Sequence, residues 1–386
     1  MDGTVNFELS SETLMIRDMV RKFAQNQLAP LAPELDKSHE FPMATWNKMR
    51  ELGLTGFPIP EEWGGGGGSY LDFAIIVEEL AKACASTAVI TSVHTGLGCM
   101  SMYLYGSQQL KEKYLERLAT GEIIGAYALT EPNAGSDAGA LRCKAEDRGD
   151  HFLVNGGKIF ITNGTVATTF CTFVKTDPTQ PKGKGITCLL IEKDLPGFTI
   201  SKPVEKMGMH GSPTVELIFE NVKVPKENVL GEINNGFAVA MGLLAGGRIT
   251  IGAQGLGIAE GALDYTINYI KERQQFDKPL AANQGVQFMI ADMATKIEAA
   301  QMLIYRAAWL KDHQLPHNKE ASMAKLFATD VAMEVTTNCV QLLGGYGYCS
   351  EYPVERMMRD AKITQIYEGS NQIQRMIIGR EVIGRF

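Results

Sequence analysis

The chain has 386 residues, 45% of them hydrophobic, and a formal net charge of -7 at pH 7, which is typical of a folded protein with ample core and more than one domain. Its mild acidity and the absence of any run of five or six basic residues exclude a broad nucleic-acid surface. The seven cysteines form no CxxC pair and have no histidine at zinc spacing, which excludes a structural metal site and predicts reduced thiols.

The N-terminal segment has no basic stretch followed by an apolar run, and no window approaches an uninterrupted apolar run of membrane length. We therefore predict no membrane insertion. Together with reduced cysteines, this indicates a cytoplasmic protein, or a mitochondrial matrix protein if the chain is a processed eukaryotic form.

The first third of the chain has the periodicity of α-helices. Ile16, Val20, Phe23 and Ala24 recur on one helical face, and two serines before them are candidate N-caps. The stretch LDFAIIVEELAKACAS repeats this period further along. We predict an N-terminal α-helical domain over residues 1–123.

Five consecutive glycines, residues 64–68, interrupt this helical pattern. A phosphate-binding glycine loop would need a strand before it and a helix N-terminus after it. Here Pro58 and Pro60 precede the glycines. The sequence therefore favours a flexible surface loop.

Between residues 124 and 232 the pattern changes to short β-branched runs such as TFCTFVKT, ITCLLIEK and TVELIFENVKV, separated by Gly and Pro. In FLVNGGKIFIT, the pair Asn155 and Gly156 between two apolar runs predicts a tight hairpin. No helix-length segment separates the runs, so parallel crossovers are not expected. We predict a middle antiparallel β domain over residues 124–232.

From residue 235 the helical period returns in four long segments, which predict a C-terminal four-helix bundle over residues 233–386. The last segment, PVERMMRDAKITQIYEGSNQIQRMIIGREV, places the acid Glu368 inside a helical arm. In the first segment GAQGLG has its glycines in the wrong order for a dinucleotide fingerprint, and we expect them to let two helices approach closely. The predicted fold class is multidomain α+β, with the three domains in this order.

Hydrolase and kinase motifs are absent, since the chain contains no GxSxG, HExxH or GxxxxGK[ST]. Three polar clusters with glycines remain: YALTEPNAGSDAGA at the start of the β domain, KIFITNG in its predicted hairpin, and QLLGGYGY at the end of the third bundle segment. Each alone is an ordinary turn or helix end. Their occurrence together, followed by IYEGSN with Glu368, is specific as a set.

With these motifs the sequence resembles the acyl-CoA dehydrogenases, flavoenzymes that oxidise acyl-CoA thioesters to trans-2-enoyl-CoA, over nearly its whole length. The resemblance implies FAD as cofactor, an electron-transfer flavoprotein as electron acceptor, and a homotetramer built as a dimer of dimers with FAD held across a subunit interface. YALTEPNAGSD and KIFITNG resemble the family's segments around the flavin ring. The resemblance assigns to that task Tyr127, Leu129, Thr130, Ser136, Phe160, Ile161 and Thr162.

The pyrophosphate and adenosine of the neighbouring subunit's FAD would be met by RQQFDKPLAANQ and QLLGGYGY, whose glycines let backbone amides approach phosphate oxygens. By resemblance these residues are Arg273, Phe276, Gln284, Gln341, Leu342, Gly344 and Gly345, and Ser370 and Gln372 of the last motif join the cofactor site. Two positions depart from the family pattern. Asp277 stands where many relatives have Gly and adds negative charge near a phosphate. Ala245 stands where many short-chain relatives have Asp, so one polar contact to the substrate is missing and the substrate class is expected to be shifted.

Glu368 is implied as the catalytic base that removes the α-proton of the thioester, while the β-hydrogen leaves as hydride to the flavin. A carboxylate is a strong enough base only if desolvation raises its pKa. We expect Ile366 and Tyr367 to exclude water, Gly369 to leave space for the acyl chain, and the backbone amide of Glu368 to stabilise the developing oxyanion. The substrate-binding residues implied are Ser136, Arg248, Tyr367 and Gly369.

Isovaleryl- and long-chain-type relatives have Glu at the residue before the arginine of the segment AGGR, where this chain has Gly247. The chain therefore resembles the short-chain, medium-chain and short-branched-chain types, and SVHTGLGCM and GLLAGG are expected to form part of the floor of the acyl pocket. Two alternatives stay open at this point: a flavin-dependent acyl-CoA oxidase on the same fold, and a catalytically silent CoA-binding scaffold.

Overall fold

The computed structural model describes residues 8–384, so that residues 1–7 and 385–386, the ends of the first and last predicted domains, lie outside the described residues. Helices come first in the chain, a β sheet follows, and helices return. The predicted fold class is therefore confirmed. The predicted boundaries at residues 123 and 232 fall between these regions and stay a prediction.

The first region contains α1 (Ser11–Phe23), α2 (Ala32–Ser38), α3 (Met43–Glu51), α4 (Tyr70–Ala83), α5 (Ala85–Val93), α6 (Met100–Tyr105) and α7 (Gln108–Ala119). Helix α1 begins at its predicted cap, because the Ser10 hydroxyl accepts a hydrogen bond from the Thr13 amide at 3.0 Å. Its buried face contains Val20 and Phe23, as predicted.

The glycine loop before α4 lies at the surface, as predicted, with Gly64, Gly66 and Gly67 exposed, but it is also closely packed and hydrogen-bonded. The amides of Gly67 and Gly68 donate to the carbonyls of Ile59 at 2.9 Å and Phe57 at 3.0 Å. A Cβ on Gly65 would overlap the Ile59 carbonyl, and a Cβ on Gly68 would overlap the Phe57 ring. The glycines are needed because no side chain fits between these backbone segments.

The sheet consists of β1 (Gly125–Ala128), β2 (Lys144–Asp147), β3 (His151–Thr162), β4 (Thr169–Lys175), β5 (Ile186–Glu192), β6 (Phe198–Ile200), β7 (Thr214–Pro225) and β8 (Val229–Leu230). The strand order is β6-β7-β3-β2-β4-β5-β8, with β1 beside β4. Most pairs are antiparallel, as predicted. The pairs β1–β4 and β2–β4 are parallel, so the sheet is not purely antiparallel as predicted. The chain between β1 and β4 returns through β2 and β3 and needs no crossover helix.

Strand β3 is continuous, and the predicted hairpin at Asn155 and Gly156 is wrong. The strand pairs with β7, and its register shifts between Val154 and Gly156, which marks a β-bulge. Gly156 has φ 138, and a Cβ there would lie 2.8 Å from the Cα atom of Cys143. The Asn-Gly pair therefore supplies backbone freedom for a bulge and not for a turn.

The last region contains α8 (Gly236–Glu272), β9 (Gln274–Gln275), β10 (Lys278–Pro279), α9 (Gln284–Asp312), α10 (Asn318–Leu343), α11 (Pro353–Thr364) and α12 (Asn371–Ile383). The fourth predicted bundle segment is thus two helices, and Glu368 lies in the turn between them. The prediction of a helical arm is wrong here because Glu368 has φ 50 and Gly369 has φ 92, which a right-handed helix cannot contain.

The N-terminal helices and the bundle share one hydrophobic core, to which α4 contributes Phe73, α8 contributes Leu256 and α10 contributes Val335. The sheet has a separate core around residues such as Phe152 and Phe170. The two helical regions, distant in sequence, are therefore one packing unit.

The glycines of GAQGLG lie where α8 meets its neighbours, as predicted. A Cβ on Gly252 would lie 3.5 Å from the backbone of Ala324 on α10, and a Cβ on Gly257 would overlap the Glu78 carbonyl on α4. Small residues here let α8 approach two helices closely.

Helix α8 is long and apolar enough to cross a membrane by length and composition, with a mean hydropathy of 1.4 in its most apolar window. Every 18-residue window within α8 contains Arg248 or Glu260, however, so the helix has no uninterrupted apolar run of membrane length. Since 72% of that window is buried inside the protein, α8 fits a core helix, which passes the same test.

The seven cysteines are free thiols, and all except Cys349 are buried. In residues 8–384 no group of three or more His, Cys, Asp or Glu side chains could hold a metal ion.

We expect Gly65→Ala to lower the free energy of unfolding by about 1 to 3 kcal/mol, because a Cβ there overlaps a backbone carbonyl. Gly285→Ala is the control, since Gly285 lies in the first turn of α9 with nothing within 4 Å of a built Cβ. The thermal unfolding midpoints of both variants are the measurement. Equal midpoints would contradict the close packing of the glycine loop.

Candidate active site

The carboxylate of Glu368 lies in the turn between α11 and α12 and faces α8. Both of its oxygens are buried and have no hydrogen-bond partner within residues 8–384. A Cβ on Gly247 of α8 would overlap Oε2 of Glu368. Position 247 and the carboxylate of Glu368 therefore meet at one point in space, and the glycine makes room for the acid.

Burial raises the pKa of Glu368 to about 7, and the positive charges of Lys325 and Arg248 act against this rise. Lys325 is fully buried, and burial lowers its pKa to about 7. Arg248 is 4% exposed, and burial lowers the pKa of its guanidinium while the charge of Glu368 raises it. An unpaired carboxylate with a pKa near neutrality suits proton abstraction.

The turn that contains Glu368 is held by hydrogen bonds to its carbonyls. The Gly369 carbonyl accepts from Lys325 Nζ at 2.9 Å and from Gln374 Nε2 at 2.8 Å, and Gln374 Nε2 also lies 3.3 Å from the Glu368 carbonyl oxygen. A Cβ on Gly369 would lie 2.7 Å from Gln374 Nε2. A side chain at position 369 would therefore press against Gln374, so the turn itself needs a glycine here, and the expected space for an acyl chain stays a prediction.

Of the two residues before Glu368, Tyr367 is bonded to the protein interior and Ile366 is exposed to solvent. The Tyr367 hydroxyl donates to Oε1 of Gln254 on α8, and Gln254 Nε2 donates to the Ala85 carbonyl at 3.0 Å. Tyr367 therefore joins the turn to the buried face of α8. Ile366 is 52% exposed, so the expectation that it excludes water is wrong for a single chain.

Two tyrosine hydroxyls near Glu368 are buried without a hydrogen-bond partner in the described chain, those of Tyr70 on α4 and Tyr127 on β1. Burial raises both pKa values, and the charge of Glu368 adds to this effect. The Tyr70 hydroxyl lies 2.5 Å from a Cβ built on Gly246 and 3.8 Å from one built on Gly96. The segments GLLAGG and SVHTGLGCM thus meet at Tyr70, beside the candidate base.

Arg248 lies on α8 directly after Gly247. Its Nη1 donates to Oδ1 of Asn318 at 2.7 Å, and its Nε has no partner in the part of the chain that the structure describes. The guanidinium is therefore a buried cation near Glu368 and not a surface group.

A buried ion pair that the sequence analysis missed joins the two motifs of the β sheet. Lys158 Nζ lies 2.7 Å from Oε1 of Glu131 and donates to the Leu129 carbonyl at 3.0 Å. The Ile159 amide donates to the Thr130 carbonyl at 2.9 Å. The available signal was an acid in TEPNAG and a lysine before IFITNG, two motifs otherwise interpreted separately.

The residues assigned to the flavin ring differ in how far their side chains are exposed to solvent. Phe160, at φ 61 in a second register shift of β3, is 60% exposed. The side chains of Ile161 and Leu129 are buried in hydrophobic cores, so only their backbone atoms are available to a cofactor. Thr130 and Thr162 are half-buried, and Ser136 is exposed.

A tight hairpin holds part of the segment assigned to the pyrophosphate. Phe276 and Asp277 form its two-residue turn with φ 53 and φ 58, so Asp277 adopts the conformation for which Gly is common. Phe276 is 93% exposed. The Arg273 guanidinium, just before the hairpin, lies 5.3 Å from the ring centroid of Tyr346.

The QLLGGYGY segment ends α10, as predicted, and continues as a 3-10 turn (Gly344–Tyr348). A Cβ on Gly344 or Gly345 would meet nothing within 4 Å, so this backbone is open on its outer side. The remaining assigned residues are Gln341, Gln284 and Gln372, which are exposed, and Leu342 and Ser370, which are half-buried. The assigned residues thus form two groups: one on the sheet and beside Glu368, and one where α8 ends, α9 begins and α10 ends.

Comparisons with known proteins place the chain in one family. Residues 10–122, 126–222 and 234–383 match the N-terminal, middle and C-terminal domains of acyl-CoA dehydrogenase. The short-chain specific acyl-CoA dehydrogenase of Clostridium acetobutylicum is 50% identical over 378 residues, which cover 98% of this chain and 100% of that protein.

Solved structures similar to this chain support the same family. Butyryl-CoA dehydrogenase from Megasphaera elsdenii has a TM-score of 0.96 and 44% identity over 98% of this chain and 100% of its own. A chain from work on the electron transferring flavoprotein of Acidaminococcus fermentans has a TM-score of 0.97 and 48% identity, over 99% of this chain and 100% of its own. The chain belongs to the acyl-CoA dehydrogenase family and is an oxidoreductase of that class.

Proposed function

We propose that this protein oxidises short-chain acyl-CoA thioesters to trans-2-enoyl-CoA, with Glu368 as the base that takes the α-proton. The observation that carries the proposal is the buried Glu368 carboxylate, which has no partner in residues 8–384 and a pKa of about 7. The similarity to short-chain and butyryl-CoA enzymes supports the substrate class.

The residues around Glu368 supply a proton acceptor in a dry and fixed position. Because no described residue donates to the carboxylate, its lone pairs are available to a substrate C–H. Lys325 and Arg248 keep a share of the carboxyl groups ionised at neutral pH. Once the proton has been taken, the neutral carboxyl suits its buried site, so desolvation favours the transfer.

FAD, when bound, accepts the β-hydrogen as hydride. The residues fit this cofactor on two observations: the backbone of Gly344 and Gly345 is open, as a phosphate contact requires, and the guanidinium of Arg273 lies near it over Tyr346. We infer that the sheet residues hold the flavin end. The group around Arg273 holds the pyrophosphate and adenosine of a second copy's FAD.

The assembly proposed is a homotetramer, a dimer of dimers. Phe276 at 93% exposure and Phe160 at 60% exposure are large apolar side chains that a single chain leaves in water. Both belong to the segments assigned to FAD, so a partner subunit and the cofactor would cover them. The electron acceptor proposed is an electron-transfer flavoprotein, supported by the similarity to the Acidaminococcus fermentans chain.

The acyl pocket proposed is short because the Tyr70 hydroxyl occupies the space between Gly96 and Gly246. This hydroxyl is buried and has no hydrogen-bond partner in the described chain, so it is held there by packing. A longer acyl chain would have to displace it.

We expect Glu368→Gln to lower the rate of anaerobic flavin reduction by butyryl-CoA by roughly 10² to 10⁴-fold, because the amide cannot accept a proton. In the parent, the rate should rise with pH and level off above a pKa of about 7. FAD content and acyl-CoA affinity are the controls and should be unchanged. Flavin reduction at the parental rate would remove Glu368 from its proposed role.

The same substitution should affect stability in a pH-dependent way. Burial raises the native pKa of Glu368 to about 7, above its usual value of 4.5, so the native state binds more protons than the unfolded state between these values. The stability of the parent should therefore fall as pH rises through this window. Glu368→Gln lacks this loss, and its unfolding midpoint should exceed the parent's most clearly above the native pKa. A midpoint that falls with pH as in the parent would contradict this.

We expect Tyr70→Phe to raise the ratio of kcat/KM for pentanoyl-CoA to that for butyryl-CoA by about tenfold, because removing the hydroxyl lengthens the pocket by about one carbon. Steady-state kinetics with a panel of thioesters is the measurement. Tyr103→Phe is the control, since Tyr103 is only partly buried and lies under Lys111 at 5.5 Å. An unchanged ratio in Tyr70→Phe would place the pocket floor elsewhere.

We expect Arg273→Ala to weaken FAD binding by about 1.5 to 3 kcal/mol, because a charge-assisted contact to phosphate is lost. Flavin titration into the apoprotein, with light scattering of the assembly, is the measurement. Lys271→Ala removes an exposed positive charge at the end of the same helix and should leave affinity unchanged. If both variants lose the same FAD affinity, Arg273 acts through long-range electrostatic attraction and not through a direct contact to phosphate.

A further inference from the structure

The side chain of Lys325 is buried, and the proposed mechanism assigns to it only an electrostatic effect on the ionisation of Glu368. Lys325 lies on α10 and is 0% exposed. Lysine is almost never fully buried without a charged partner. Within residues 8–384, however, no carboxylate oxygen lies within 4.0 Å of its Nζ; the acceptors it contacts are the Gly369 carbonyl at 2.9 Å and Asn371 Oδ1 at 2.8 Å. Its position therefore requires an explanation other than an ion pair.

Both contacts of Lys325 are made to the turn that carries Glu368. Gly369 follows the acid directly, and Asn371 begins α12. The Asn371 side chain is oriented in turn, because its Nδ2 donates to Thr329 Oγ1 at 3.0 Å and to Asp330 Oδ1 at 2.7 Å on α10. The Asn371 oxygen is thereby directed at Lys325. The lysine fastens the turn to α10 at two points.

This turn needs fastening because its backbone is strained. Glu368 at φ 50 has a conformation that is uncommon for a residue with a side chain, and surrounding contacts must maintain it. Gln374 makes a second, uncharged attachment from α12 to the same Gly369 carbonyl at 2.8 Å. Lys325 and Gln374 thus share one acceptor but differ in charge.

The charges that act on Lys325 are few. They are Glu368 in the turn, Asp330 on α10 and Arg248 on α8. Asp330 is already engaged, since Arg375 and Gln365 also contact its oxygens at 3.0 and 2.7 Å. Glu368 has no partner of its own in the described residues. The buried ammonium therefore serves Glu368 before any other carboxylate.

We propose that Lys325 is the positioning residue of the base: it holds the Glu368 turn through the Gly369 carbonyl and keeps a positive charge beside the carboxylate that must be ionised to accept the α-proton. The proposal rests on the proposed role of Glu368. Lys325 thus has two separate roles: it positions the turn through a hydrogen bond, and its charge favours the ionised form of Glu368.

Lys325→Met tests both roles, because methionine has a similar length but neither the donor nor the charge. Gln374→Met is the matched control, because it removes a donor to the same carbonyl and leaves the charge. The measurement is the rate of anaerobic flavin reduction of the FAD-loaded protein by butyryl-CoA across a pH series, with FAD content and unfolding midpoint recorded for each variant.

Both variants should lower the limiting rate at high pH by about tenfold to a hundredfold, since the base is less well placed. Only Lys325→Met should also move the midpoint of the pH profile, upward by up to about one pH unit, because the ammonium, which is present below the lysine's own pKa of about 7, favours ionised Glu368. Lys325→Gln keeps a donor without the charge, and it provides the same midpoint test if the methionine variant does not load FAD.

An unchanged midpoint in Lys325→Met or Lys325→Gln would overturn the claim on charge, and an unchanged limiting rate in Lys325→Met would overturn the claim on geometry. Either result, with Glu368→Gln inactive, leaves the proposed base in place and removes only Lys325. If Glu368→Gln reduces flavin at the parental rate, the proposed function fails at its base and this inference fails with it.

Discussion

A carboxylate buried without a partner is the constraint on which the site depends. Removing an ionised acid from water costs several kcal/mol unless charge or hydrogen bonds compensate it. Glu368 has no hydrogen-bond partner in residues 8–384, and its compensation comes from two buried cations, Lys325 and Arg248. The resulting pKa of about 7 leaves the acid both available and basic enough for proton abstraction.

The turn that carries Glu368 shows how the fold holds this arrangement. A continuous helix cannot contain φ 50 at Glu368 and φ 92 at Gly369. These angles form a turn, and the turn directs the Glu368 side chain toward α8. The glycine at 247 then leaves the space that the carboxylate fills. Tyr367, bonded to Gln254, fixes the other side of the turn. The glycine at position 247 of α8 and the strained turn at Glu368 therefore form one site together.

The β sheet contributes through a different kind of contact. The pair Lys158 and Glu131 is buried, and Glu131 also accepts from the amides of Arg142 at 2.6 Å and Cys143 at 2.9 Å. A buried ion pair is weak evidence for stability, since the cost of desolvating both charges offsets their attraction. It joins the two motifs assigned to the flavin ring, and Tyr127 on the adjacent strand β1 directs its unpartnered hydroxyl toward the same region as Glu368.

The sequence by itself determined what depends on local pattern: the order of helical, β and helical regions, the Ser10 cap, the end of α10 at Gly344, and the close approach allowed by Gly252 and Gly257. It also determined the family, because several motifs occur in a fixed order. Only the tertiary structure decided whether the pair Asn155 and Gly156 makes a turn or a bulge, since both need the same backbone freedom and pairing with β7 selects between them. It also decided the break at Glu368 and the burial of Lys325. The sequence pattern predicted one helical segment across the break, and a lysine on a helix face has no signature of burial until the neighbouring helices pack around it.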